Sequence, residues 1–359
     1  MKNKILIIGP FPEPTTGVSL ANKVLADALK DNAEYDLEVI NTSLLNYDEK
    51  LGSFSIRKIL FYFKFNFSLH SVIKSKIIYI TPGQTFFGVA KYSLFILLSY
   101  FLGKTIIFHI HGNYLAEQYR YLKGVKKRYF YYLMSRGTKG IVLSESLIDN
   151  LTPFLNRDKV YILYNFAEDY LWNEIKPSDN DKLRIIFLSN LIIEKGILDL
   201  LEALQKLEDD KIPYEAKIAG NIDADNRDLI LSKIETLRCT RYVGVVFGKD
   251  KKELLEWGNI FVLPTYYSME GQPISIIEAM ATGNIIITTR HAGIPDIVKD
   301  GVNGFFIEKK NSTGIFEKIV SVDRDKSMII RMSKLNQEYF RERFTLSHFQ
   351  QNFIKILED

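Results

Sequence analysis

Cysteine is almost missing from this sequence. Cys239 is the single one in 359 residues, so no internal disulfide forms, and the chain suits a reducing compartment. Long apolar runs are missing as well. The longest, Tyr92–Leu102, is 11 residues with two serines in it, where a helix crossing a bilayer takes about 20. Near the N-terminus the run Ile5–Ile8 is only four residues, short of the roughly 7–15 of a signal peptide, and it reads as a buried first strand. Metal-ligand spacing is absent too: five histidines and one cysteine make no zinc pattern. Asp-x-Asp occurs at Asp179/Asp181, Asp223/Asp225 and Asp323/Asp325. A pair of that kind can hold a divalent ion bridging two phosphates. None of the three follows a buried strand at the expected cleft, so all are read as solvated surface pairs. The expectation is a chain that uses no metal and no cofactor.

Negative charge is missing from one long stretch. Leu51 to Ala116 contains no Asp or Glu at all. Residues 1–140 carry 19 Lys+Arg against 9 Asp+Glu, a net of +10, while residues 141–359 carry 28 against 34, a net of −6. The overall charge of +4 hides this asymmetry. A single-sign field attracts a polyanion: an acidic membrane surface, a nucleic acid or a phosphorylated lipid.

What is present alternates strand and helix signals. In the first half, Ile5–Ile8, Glu38–Asn41, Ile77–Ile80, Thr105–His111, Gly140–Leu143 and Val160–Tyr164 read as strands. Val18–Leu29 has helical spacing, with Leu20, Val24, Leu25, Ala28 and Leu29 on one stripe. In the second half, Arg184–Leu188, Tyr214–Ala219, Tyr242–Val246, Ile260–Leu263 and Asn284–Thr288 read as strands. Gly196–Leu207, Lys251–Glu256 and Pro273–Ala281 read as helices. Short strands separated by helices imply right-handed βαβ units in parallel sheets. Residues 167–182 are polar, contain Pro177 and read as a linker between domains 1–166 and 183–344. The predicted fold is α/β, with two Rossmann-like domains facing across a cleft and ligands at the carboxyl ends of the strands.

The strongest chemical signal is Glu270-Gly271-Gln272-Pro273-Ile274-Ser275-Ile276-Ile277-Glu278. The first carboxylate lies in a loop after a strand and the second inside the following helix. Gly271 lets the backbone approach a ligand closely. Pro273 suits a first helical turn, whose free N–H groups and dipole make an anion site. Glu270 is suited to accept hydrogen bonds from sugar hydroxyls and Glu278 from a ribose diol. An isolated pair at this spacing is more often a capped helix with two surface carboxylates. The glycine, the proline and the preceding strand favour the functional reading here.

The stretch Phe261–Gly304 resembles the donor-binding core of the retaining GT-B glycosyltransferases, family 4 in the usual classification. The likeness rests on Pro264, Ser268-Met269-Glu270-Gly271, Pro273, Glu278-Ala279-Met280-Ala281, Gly283, Gly293-Ile294-Pro295-Asp296 and Gly301-Val302-Asn303-Gly304. Other matches fall in order along the chain: Gly9-Pro10 with Gly17-Val18, His111-Gly112, Tyr164-Asn165, Glu194-Lys195-Gly196, Ala219-Gly220 and Phe247-Gly248. The resemblance implies a metal-independent hexosyltransferase whose C-terminal domain holds a nucleotide sugar, a UDP-sugar by preference. It implies that residues 345–359 form a helix returning to the first domain. It also points towards enzymes that build O-antigen of lipopolysaccharide, capsule or other surface polysaccharides.

By the same resemblance, Lys195 faces the donor diphosphate, Phe247 and Gly248 lie where the nucleobase rests, and the loop ending at Gly17 approaches the phosphates and acceptor. His111 lines the reaction centre. His109, two positions earlier, shares its sheet face and is read as structural. The donor set is therefore Gly17, Asn190, Lys195, Phe247, Gly248, Glu270, Gly271, Gln272, Pro273 and Glu278, with His111, Glu270 and Lys195 as the catalytic residues. The family's arginine about five positions before the Lys-Gly pair is replaced by Asn190, which donates a hydrogen bond but brings no charge. Either another cation substitutes, with Arg290 as the candidate, or leaving-group stabilisation is weaker here.

In the basic half, Arg57, Lys58, Lys64, Lys74 and Lys76 interleave with phenylalanines, and Lys126, Lys127 and Arg128 sit in a tyrosine-rich stretch, Tyr119–Arg136. Basic residues with aromatics at helical spacing suit a helix lying in a membrane interface. The same pattern fits a nucleic-acid backbone or a solvated helix face. The expected partners are a nucleotide sugar, a polyprenyl-diphosphate-linked saccharide and an anionic membrane surface reached through Lys58, Lys64, Lys126, Lys127 and Arg128, with no nucleic acid. The expected location is cytoplasmic, peripheral at the inner face of the plasma membrane. The alternatives are a UDP-sugar epimerase or soluble glucan transferase of the same fold, and a non-catalytic sugar-nucleotide or polysaccharide binding protein.

Overall fold

The computed structural model describes residues 2–43, 66–172 and 182–359. Lys58, Lys64, most of the expected linker and the pair Asp179/Asp181 lie outside the described residues. The chain divides into two compact units, Met1–Tyr164 with Phe349–Asp359, and Asn165–His348.

The first unit is built on six parallel strands: β1 (Asn3–Gly9), β2 (Tyr35–Asn41), β3 (Ile77–Ile80), β4 (Thr105–Ile110), β5 (Lys139–Val142) and β6 (Val160–Ile162). They lie in the order β2-β1-β3-β4-β5-β6. The strand order reverses between β1 and β3, so the loops after those two strands part and leave a crevice at their carboxyl ends. β3 reads Ile-Ile-Tyr-Ile with all four residues buried, as a parallel strand covered on both faces requires. Helix α1 (Gly17–Asp31) follows β1. Thr16 caps it by accepting from the Ser19 N–H, while the Ser19 hydroxyl satisfies the Thr16 N–H. Its inner stripe, Ala21, Val24, Leu25 and Leu29, is buried.

The second unit repeats the plan. Its strands are β7 (Leu183–Leu188), β8 (Tyr214–Ala219), β9 (Thr240–Gly244), β10 (Ile260–Leu263), β11 (Ile285–Thr289) and β12 (Gly304–Ile307). All are parallel and lie in the order β12-β11-β10-β7-β8-β9. Here the reversal falls between β7 and β10. Helix α2 (Ile197–Asp209) covers the sheet with Ile197, Leu200, Leu201, Leu204 and Leu207 buried, the spacing of an apolar stripe on a helix.

Most strand bounds expected from sequence hold to within a residue or two. β9 is displaced by two positions from the expected Tyr242–Val246. Gly244 takes φ +78° and its carbonyl accepts the Gly220 N–H at 2.9 Å, which ends the strand early. The register also shifts between Ile218 and Ala219. β4 stops at Ile110, leaving His111 as the first residue past the strand.

Gly220 marks a tight passage. Its φ is +138°, and a Cβ there would sit 1.8 Å from the Ser189 carbonyl oxygen. Gly220→Ala is therefore expected to destabilise the second unit by more than about 1 kcal/mol. Urea unfolding measures this, and an unchanged midpoint would contradict the geometry.

Candidate functional site

Four strands send their carboxyl ends to one place in the second unit. The loop after β7 brings Lys195, that after β10 brings Thr265, Tyr267 and Glu270, that after β11 brings His291, and that after β12 brings Lys309. Lys195 Nζ lies 2.6 Å from Glu270 Oε2, with side-chain exposures of 14% and 8%. The fully buried Thr265 hydroxyl donates to the same carboxylate oxygen at 3.1 Å. The Lys195 ammonium also lies 5.3 Å from the Tyr267 ring centroid. The backbone permits this close assembly because Gly196 adopts φ +80°, where a Cβ would strike Pro264 at 2.5 Å.

His291 Nε2 lies 2.7 Å from the Tyr267 carbonyl and its Nδ1 3.1 Å from Lys309 Nζ. Lysine only donates, so Nδ1 accepts and Nε2–H donates to the carbonyl. Burial holds this imidazole below its usual range, aided by the Lys309 and Lys195 cations. A neutral ring with one fixed tautomer follows.

The second carboxylate is held separately. Helix α3 (Gly248–Trp257) follows β9, and helix α4 (Ile274–Ala281) follows β10. Lys251 Nζ on α3 lies 2.5 Å from Glu278 Oε1 on α4 and 3.6 Å from Glu168. Burial works against the ammonium, but the Glu278 carboxylate outweighs it and leaves Lys251 above its usual range. Pro273 is the residue before α4, and no side chain caps the helix or places an acid in its first turn. Gln272 is buried; its Oε1 accepts the Asn165 N–H and its backbone carbonyl accepts from Asn165 Nδ2, both at 2.7 Å. Asn165 Oδ1 and Gln272 Nε2 remain buried without partners among the described residues. The Gly271 carbonyl accepts the Gly293 N–H at 2.9 Å, tying the β10 and β11 loops together.

The remaining expected residues fall as follows. Phe247 precedes α3 and is 65% exposed, an apolar ring left in solvent beside Gly248, whose φ is +49° with open space where a Cβ would be. Asn190 is exposed in the β7 loop. Arg290, the candidate substitute cation, lies over the Phe306 ring at 4.2 Å and 3.7 Å from Asp300. Sequence reasoning missed Thr265, His291, Lys309 and Lys251. Thr265 alone carried a signal, being adjacent to the strand-ending Pro264.

In the first unit Gly17 is the exposed first residue of α1. His111 follows β4, and burial lowers it to about 3. A further helix of the first unit spans Gly124–Met134. It buries Phe130, Leu133 and Met134 and turns Lys126 and Arg128 outward. Lys127 lies 4.8 Å from the Tyr119 ring centroid. A cavity of about 320 Å³ beside it is lined by Tyr119, Gly124, Lys127, Arg128 and Tyr131. Among the described residues no three His, Cys, Asp or Glu side chains group as metal ligands, and no helix is long and apolar enough to cross a membrane.

Residues 171–338 match the family Glycosyl transferases group 1, and this stretch is a domain of that family. Over the whole chain the fold is the two-domain, Rossmann-like GT-B arrangement. Anabaena HepE, solved in complex with UDP, superposes with a TM-score of 0.75 at 16% identity, covering 99% of both chains. The amylovoran biosynthesis glycosyltransferase AmsK of Erwinia amylovora is 23% identical over 44% of this chain and 40% of its own length. The N,N'-diacetylbacillosaminyl-diphospho-undecaprenol alpha-1,3-N-acetylgalactosaminyltransferase of Campylobacter jejuni is 24% identical over 50% of this chain and 46% of its own length. The matches to these two curated relatives span somewhat under half of each relative's length.

The buried His111 ring generates a pH prediction. Its folded value lies below the usual 6.5, so the unfolded chain binds the proton more readily. Stability is complete above about pH 6.5 and is lost as pH falls towards 3. The expected slope is about 1.4 kcal/mol per pH unit for each such imidazole. Acid unfolding of the wild type and His111→Phe measures it; equal slopes would contradict the burial.

Proposed function

We propose that this chain is a retaining glycosyltransferase that moves a hexose from a UDP-sugar to a lipid-linked saccharide during bacterial surface-polysaccharide synthesis. The observation that carries the reading is the buried Lys195–Glu270 pair at the strand-order reversal of the second sheet, where α/β folds bind their ligands. In the reaction the bond from the anomeric carbon to the diphosphate breaks. A new bond forms from that carbon to an acceptor oxygen, and the acceptor proton passes to the departing diphosphate. Lys195 and the uncapped start of α4 stabilise the negative charge that develops on the leaving group. Glu270 accepts hydrogen bonds from sugar hydroxyls. Lys251 and Glu278 stand by the exposed Phe247 and Gly248, a side suited to the ribose and base; in the first unit, Gly17 and His111 are the residues proposed to meet substrate. No carboxylate stands out as a covalent nucleophile, so retention proceeds by front-face displacement rather than the two-carboxylate route.

Two relatives support the acceptor class, one named for an undecaprenyl-diphosphate-linked sugar and the other for amylovoran biosynthesis. The UDP held by HepE supports the donor class. The outward Lys126 and Arg128 and the half-buried Lys127, with Tyr121 at 65% and Val125 at 81% exposure, favour docking on the anionic inner face of the plasma membrane. No nucleic acid and no metal enter the scheme.

Incubation with UDP-, GDP-, ADP- and dTDP-sugars tests the donor. A UDP-sugar at about 100 times its dissociation constant is expected to add roughly 2.7 kcal/mol to stability, and stabilisation by another base instead would reject the UDP assignment. Glu270→Ala is expected to lower transfer by at least about 100-fold; near-normal turnover would remove its assigned role. Neutralising Lys126, Lys127 and Arg128 together is expected to weaken binding to anionic liposomes. Unchanged binding would sink the membrane proposal.

A further inference from the structure

Beside β3 and β4 the first unit buries a chain of three polar rings. Tyr79 and His109 are both fully buried, and Tyr79 Oη lies 2.5 Å from His109 Nδ1. Burial holds the Tyr79 phenol well above its usual range, so the hydroxyl keeps its proton and donates. His109 Nδ1 then accepts, which puts the single imidazole proton of neutral His109 on Nε2. The His109 ring lies against His111, with centroids 3.9 Å apart and planes 38° from parallel. On its other side Tyr79 meets the edge of Phe353, at 5.5 Å and 82°. Tyr79 and His109 are sealed in the core, whereas His111, just past the strand, is half-buried. Nε2 of His109 and Nε2 of His111 are both buried with no hydrogen-bond partner among the described residues. Buried polar atoms without partners are costly to keep, and a pair of neutral imidazoles fixed by one phenol is an expensive way to fill a core.

We propose that Tyr79 and His109 are positioning residues for His111, holding its ring in one plane and one charge state so that it meets a carbohydrate hydroxyl. The proposal rests on the reading of the chain as a glycosyltransferase with His111 at the saccharide. Tyr79 fixes the His109 tautomer, and His109 fixes the His111 plane by ring contact. The half-buried ring of His111, just past the strand, is then the part left for substrate. Neither positioning residue touches the reacting atoms.

Tyr79→Phe tests this with the full chain, since it removes one oxygen and keeps the packing on Phe353. Expected is a fall in kcat of about tenfold with the KM for the sugar nucleotide within about twofold. His109→Phe, which keeps a flat ring but no acceptor, is expected to show the same split, and His109→Gln, whose carbonyl can accept from Tyr79, to recover part of kcat. Imidazole nitrogen NMR gives a readout independent of turnover. The wild type is expected to show His109 protonated at Nε2 only. Tyr79→Phe is expected to give mixed tautomers and a shifted His111 signal. If the wild type transfers sugar while Tyr79→Phe keeps its kcat, or if the His111 signal is unmoved in Tyr79→Phe, the positioning role is overturned. If the wild type transfers no sugar to any acceptor while Tyr79→Phe still mixes the tautomers, the functional reading fails and the structural link from Tyr79 to His111 stands.

Discussion

The contact between Lys195 and Glu270 organises the carboxyl edge of the second sheet. Two opposite charges 2.6 Å apart and almost out of water lose as much solvation as they gain in attraction, so such a pair is weak as a source of stability. It persists only where other groups hold it. Thr265 supplies a hydrogen bond from below, the Tyr267 ring lies under the ammonium, and Gly196 lets the Lys195 loop close on Pro264. The cation and the carboxylate are thereby set in place before any ligand arrives. Because they neutralise one another, under the proposed reading a diphosphate meets Lys195 without first meeting an unscreened acid.

The two sheets are variations on one plan. In each, a strand-order reversal beside the first strand of the unit parts two loops. The second unit fills its crevice with ionic groups: Lys195, Glu270, Lys309 and the neutral His291. The first fills the corresponding region with neutral polar groups. Asn22 Nδ2 donates to the Pro10 carbonyl and to the Thr81 hydroxyl, and the Tyr79–His109–His111 rings lie one strand away. The contrast in charge is a contrast in task under the proposed reading. The ionic crevice suits a diphosphate, and the neutral one suits hydroxyl groups.

Much of this was legible in sequence because parallel strands buried on both faces are continuous apolar runs. Ile77–Ile80 and Ile260–Leu263 stand out for that reason, and the punctuation by Gly9, Pro264 and Gly283 places the loops that follow. The pairing of Glu270 with Lys195 was less visible, since 75 positions separate them. His291 and Lys309 carried no signal at all: their roles depend on two loops converging from neighbouring strands. Arg290 shows the limit from the other side. It has the right charge one position from His291, yet its side chain turns to Phe306 and Asp300. β9 went astray by two residues because Val243 and Val245 look like strand residues whatever Gly244 does between them. The likeness of His109 and His111 in sequence hid their difference in structure. One is locked by a phenol and the other stands just past the strand.

The first unit is assembled from two stretches of chain, with the whole of the second unit between them. Phe353 packs on Tyr79, and Lys139 donates to the Ile356 carbonyl at 2.7 Å. During synthesis from the N-terminus, the first sheet emerges with that side uncovered. It stays so while nearly two hundred further residues are made (165–348 in this numbering). Domains generally fold as they emerge, at about 5–20 residues per second, so that side of the first sheet waits some ten seconds or more while the second unit is made. The rings behind His111 are then closed by the helix Leu346–Glu358, made after the second unit. A ribosome stalled before Phe349 would carry a finished second unit and an unfinished first, its apolar flank open to chaperones.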